Sequence, residues 1–116
     1  MVNNYVDGEK VLVKKASYWF SGPERGDVIV FWDWGGMDFL IKRVIGLSYD
    51  TVEIIDGHIY LNGEKYNDKL SHLKIHEHMS AESFEVGEGE YWVIGDNRQD
   101  SWFGVIHEDQ IIGKVD

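Results

Sequence analysis

Short apolar runs separated by turn residues, rather than long helical periods, organise this chain. Asp27–Asp33 is nearly continuous in hydrophobicity, which predicts a strand buried on both faces. Asp38–Gly46 predicts the next strand, with Gly35-Gly36 as the hairpin turn between the two. Thr51–Ile55 and His58–Leu61 flank Asp56-Gly57, a pair suited to a type I′ turn, and Asn62-Gly63 leads in the same way into Glu64–Tyr66. Glu9–Lys15, Glu90–Ile94, Trp102–Ile106 and Gln110–Val115 complete the strand set, and Ser21–Gly26 reads as a loop. The stretch of about 67–88 differs. It is polar and lacks a period of two, which predicts an insertion or flap, with a short helix over Leu73–Met79. Many short strands without helical patterns predict a mostly β fold, a sandwich or a coiled, barrel-like antiparallel sheet, in one domain over residues 1–116.

One residue breaks the apolar pattern informatively. In Phe39-Leu40-Ile41-Lys42-Arg43-Val44-Ile45-Gly46, alternation puts Leu40, Lys42 and Val44 on one face and Phe39, Ile41, Arg43 and Ile45 on the other. Lys42 therefore projects between two apolar neighbours. Burial disfavours an ammonium, and a lysine made neutral can act as a general base. The alternative is a sheet-edge lysine whose head reaches water.

Composition narrows the classes. The chain has 116 residues, enough for one compact domain, and is 43% apolar with five Trp, six Tyr and five Phe, so it can build a core. Its formal charge of −10 leaves no basic footprint for nucleic acid. It has no cysteine, which removes thiol catalysis and disulfides. No apolar run approaches the roughly 20 residues that span a bilayer.

Other constellations are weaker. His72, His76 and His78 have partial metal-ligand spacing, but no thiol or acidic cluster completes a site, so no metal and no cofactor is expected. Trp19, Trp32, Trp34, Trp92 and Trp102 could line a sugar or peptide groove, as in a β binding module, or simply fill the core. No serine sits in a Gly-x-Ser-x-Gly elbow. A serine paired with Lys42 is the simpler nucleophile–base arrangement. The turn Gly95–Ser101 is rich in residues that fix tight turns, and Asp96, Asp100 and Ser101 are candidates to support Lys42 by hydrogen bonds.

Four stretches, in order, resemble the bacterial type I signal peptidases, membrane-anchored Ser–Lys proteases. They are Asp7-Gly8-Glu9 with Val11-Leu12-Val13, Arg25-Gly26-Asp27-Val28-Ile29-Val30-Phe31, Lys42-Arg43-Val44-Ile45-Gly46-Leu47, and Gly95-Asp96-Asn97-Arg98 followed by Asp100-Ser101, Phe103-Gly104 and Gly113-Lys114. The resemblance implies that Lys42 is the general base and that the serine nucleophile lies immediately ahead of Met1, after a membrane-anchoring helix. The 116 residues alone are then expected not to cleave. It further implies an extracytoplasmic domain whose partners are exported preproteins. Their peptide would be bound as an added strand between Asp38–Ile41 and the first residues of the chain, with Val2, Tyr5, Leu40 and Ile41 lining the pocket. Departures from the family pattern are Asn3-Asn4, Ser48-Tyr49-Asp50 and Trp102, which stands where an arginine is expected, so that an Asp–Arg pair is lost. They leave a second expectation open: a non-proteolytic relative assisting pilus assembly, with pilins as partners.

Overall fold

The computed structural model describes residues 3–5, 12–15, 22–69, 74–75, 79–100 and 102–115; of residues 3–5, 12–15 and 100 it describes the backbone alone. Eleven strands form two antiparallel sheets: β1 (Asn3–Tyr5), β2 (Leu12–Lys15), β3 (Val28–Trp32), β4 (Phe39–Gly46), β5 (Thr51–Ile55), β6 (His58–Leu61), β7 (Glu64–Lys65), β8 (Ala81–Glu85), β9 (Glu90–Ile94), β10 (Phe103–His107) and β11 (Ile111–Val115). The larger sheet runs β1-β2-β11-β3-β4-β9-β10 and the smaller β7-β6-β5-β8. The expected mostly β, antiparallel class is what forms.

Register fixes the faces. Trp32 lies opposite Phe39, Phe31 opposite Leu40 and Ile29 opposite Lys42. Directly opposed residues share a face. Ile29, Phe31, Val44, Val93 and Ile106 build one apolar cluster with Leu40 against it, and this is Lys42's face. The opposite face carries Ile45, Trp92 and Ile94, which pack against Val52, Ile54 and Ile59 of the smaller sheet. Strand β3 therefore needs apolar side chains in both directions, and Ile29, Val30 and Phe31 are all fully buried.

Gly46 marks the closest approach of the sheets. A Cβ there would stand 2.9 Å from both the Trp92 Cβ and a Val52 methyl. The Asp56-Gly57 turn has φ of 48° and 80° and Asn62-Gly63 has 53° and 85°, the left-handed pair that a type I′ hairpin requires.

The segment of about 67–88 holds a strand that its pattern did not announce: β8 pairs with β5, placing Val52 opposite Phe84 and Thr51 opposite Glu85. Glu82, Ser83, Phe84 and Glu85 are all exposed, so this edge strand shows no alternation. Ile75 and Val86 are buried in the inter-sheet core. Lys74 and Ile75 are not helical, and the rest of the expected helix, with His72, His76 and His78, lies largely outside the described residues.

Candidate active site

The site is built on β4, whose two halves have different neighbours. Arg43 and Val44 pair with β3 or its loop on one side and with Ile94 and Val93 of β9 on the other, the Ile45 carbonyl accepts from Arg25, and Gly46 lies opposite Trp92. Phe39–Lys42 pairs with β3 alone. Among the described residues no strand occupies its other side, so a run of backbone donors and acceptors is open there.

Lys42 sits at the inner end of that open stretch. It is half-buried, faces the cluster of Ile29, Phe31 and Val44, and lies between Leu40 and Val44 as alternation requires. The ion pairs of the described residues go to Arg25, Arg43, Lys74, Arg98, His107 and Lys114, and Lys42 is not among them. Leu40 and Ile41 are half-buried and Asp38 is exposed, all three on or beside the open stretch.

The other expected site residues divide. Tyr5 lies on β1, separated from β4 by β2, β11 and β3 in the strand order, so pairing by itself does not bring it beside Leu40. Val2 and Ser101 lie outside the described residues, and Asp100 is placed by its backbone in a single 3-10 turn, Arg98–Asp100. Asp96 is brought to Arg43, the neighbour of Lys42 on β4. Its carboxylate is taken by Arg43, not by Lys42: Arg43 Nε and Nη2 donate to its two oxygens at 2.8 Å each. Arg43 points to the face opposite Lys42, so Asp96 can act on the lysine only by holding the strand that carries it.

That grip is electrostatic as well as geometric. The hydrogen bonds from Arg43 hold the Asp96 carboxyl below the ordinary carboxylate range, against the opposing effect of burial. Arg43 Nη1 also donates to Gly26 O at 2.7 Å, so one guanidinium joins β4, the turn after β9 and the loop before β3. Gly26, Arg43, Tyr66, Asp68, Lys69 and Asp96 line a polar cleft of about 390 Å³ on this side.

A second pair escaped the sequence reading. Arg98 is 2% exposed and donates to Asp68 at 2.8 Å and to Gly95 O at 3.2 Å. It anchors the turn after β9 to the chain beyond β7. Two Asp–Arg pairs thus hold a turn expected to have lost one. Their partners are 53 and 30 residues apart, and no local spacing announces such pairs. The only legible signal was the Gly95-Asp96-Asn97-Arg98 motif itself.

Among the described residues, no cluster of three or more His, Asp or Glu could hold a metal. No described helix is long and apolar enough to cross a membrane. Strand β4 thus carries a lysine on an apolar face beside an edge with no strand neighbour among the described residues, and an arginine–carboxylate fork on its opposite face.

The chain belongs to the family described as signal peptidase, peptidase S26, whose model matches residues 1–116. It is 36% identical to signal peptidase IB of Staphylococcus aureus (strain COL), over 94% of this chain and 67% of the relative. It is also 36% identical to signal peptidase I U of Bacillus subtilis (strain 168), over 92% and 64% respectively. The chain thus spans about two thirds of these relatives. A crystal structure of a signal peptidase I from Enterococcus faecalis V583 superimposes with a TM-score of 0.66 at 28% identity, over 84% of this chain and 100% of that one. These matches make the activity class that of a serine endopeptidase, and they do not favour the pilus-assembly alternative.

Proposed function

We propose that this domain removes signal peptides from exported preproteins, with Lys42 as the general base for a serine immediately ahead of Met1. Lys42 takes the serine proton as the oxygen attacks the scissile carbonyl, donates it to the leaving amine, and then takes a proton from the water that hydrolyses the acyl-enzyme. The substrate joins the edge of Phe39–Lys42 as an added strand, with Asp38, Leu40 and Ile41 beside it. An N-terminal helix would tether the domain to the extracytoplasmic face of the membrane, where such substrates emerge. Asp100 and Ser101, which follow Arg98 closely in the sequence, are our candidates to support the lysine.

The observation that carries this reading is the coincidence of Lys42 with the inner end of the half of β4 that, among the described residues, has a strand on one side only. The test is cleavage of a preprotein by the full-length protein in detergent. Lys42→Ala should lower the rate by at least about 10²–10⁴-fold, the usual contribution of a general base. Lys42→Arg should not restore it, since a guanidinium stays protonated. Cleavage by Lys42→Ala at the wild-type rate would remove the lysine from the mechanism.

A further inference from the structure

Trp34 and Trp102 are both strongly exposed, at 56% and 42%, yet their rings meet edge to face with centroids 4.8 Å apart. Their placement is specific. Trp34 belongs to the turn just before the open half of β4. Trp102 immediately precedes Phe103, which lies opposite Ile94, which in turn lies opposite Arg43. Trp34 is therefore anchored near the outer end of Phe39–Lys42, a stretch about 13 Å long at the rise of a strand, and Trp102 two strands across from its inner end.

The rings also lie on a definite side. A Cβ on Gly104 would fall 2.7–2.8 Å from the Trp102 ring, so that ring covers Gly104. Gly104 is opposite Val93, and Val93 is opposite Val44. Val44 shares its face with Lys42 and Leu40. The Trp102 ring thus lies on β10 on the lysine's face of the sheet, where the Trp34 ring meets it, and the missing side chain at 104 lets Trp102 lie down on the sheet.

We propose that Trp34 and Trp102 roof the substrate slot and select an apolar side chain on the peptide residue that points toward Lys42's face. This rests on the reading of the open β4 edge as the substrate slot. An added strand sends alternate side chains to each face. Those directed at the roof meet exposed indole surface, which rewards aliphatic or aromatic groups and leaves a carboxylate without hydration. Trp102 thereby does different work from the arginine expected at that position.

The test uses the full-length protein and a set of peptides in which leucine is replaced by alanine, then by aspartate, one position at a time. Wild type should show one position where the leucine peptide exceeds the alanine peptide by about tenfold in kcat/KM, carried by KM, the range for small apolar differences in a pocket. In Trp34→Ala and Trp102→Ala, discrimination at that position should fall below twofold, and Trp102→Phe should restore part of it. Both side chains are substantially exposed, and near-ultraviolet circular dichroism checks that the variants fold. Discrimination unchanged in both variants overturns the roof while leaving the protease intact. A wild-type protein that cleaves none of the peptides and no preprotein overturns the functional reading itself.

Discussion

The inner half of β4, Arg43–Gly46, is held on both sides and ends in three buried residues, whereas the outer half, Phe39–Lys42, has one strand neighbour among the described residues and stays partly open to water. The two halves are continuous in sequence and similar in hydrophobicity. What separates them is where β9 stops: Ile94 lies opposite Arg43, and the chain then turns away through Gly95 and Asp96. The lesson is that an apolar strand need not be core throughout its length. Removing a neighbour over four residues converts the same β-branched pattern from scaffold into docking edge, with Lys42 at the boundary.

If that division is right, truncations on the two halves should do opposite things. Ile45→Ala empties a fully buried position in the inter-sheet core and should lower unfolding free energy by about 2–5 kcal/mol. Leu40→Ala, half-buried on the outer half, should cost about 1 kcal/mol or less and show instead as raised KM in preprotein cleavage. Comparable stability losses from the two in urea titrations would erase the distinction.

Gly46→Ala sharpens the same point from the scaffold side. Its methyl would press against Trp92 and Val52, so the sheets must separate slightly, at about 1–3 kcal/mol by thermal or urea unfolding. A neutral result would mean that the sheets are less closely packed at this point.

A smaller effect probes the fork behind Lys42. Asp96 and Asp50 both have carboxyls held below the ordinary range. For Asp96 the leading cause is hydrogen bonding from Arg43. For Asp50 burial pushes upward but is outweighed by hydrogen bonds from Asn62, the Leu47 N–H and Arg25. A depressed folded value means that their stabilisation is complete above the unfolded carboxylate value of about 4. It is lost as pH falls below that, through the folded values. The exposure of Asp96 limits its share to about 1 kcal/mol or less. Asp96→Asn should therefore reduce stability slightly at pH 7 and flatten its decline between pH 4 and pH 2. An identical acid profile in the variant would show that the fork is energetically idle.

Much of this architecture was legible before the coordinates. Strands β3, β4, β5, β6, β9, β10 and β11 fall within about one or two residues of where hydrophobic runs and turn pairs put them, and β3, β4, β5, β6 and β9 follow or precede Gly, Asn or Asp residues at positive φ. Strand β8 was hidden because four of its five residues are solvated and carry no alternating signal. The face of Lys42 followed from parity alone. The role of Arg43 did not, since two adjacent cations look alike until the fold brings Asp96 to one of them. Arg98 was taken as a turn residue because its carboxylate, Asp68, sits in a stretch read as a loose flap. Trp102 was visible as a departure from a motif and as one of five tryptophans that could line a groove or fill the core. Its ring contact with Trp34 depends on the hairpin and the turn after β9 meeting in space.

The claim that the outer half of β4 receives substrate is tested most directly by amide hydrogen exchange on full-length Lys42→Ala, which should bind a signal-peptide substrate without consuming it. Adding that peptide should slow exchange at backbone amides within Phe39–Lys42 and leave Arg43–Gly46, already paired with β9, unchanged. Unaltered exchange across Phe39–Lys42 at saturating peptide would contradict the account.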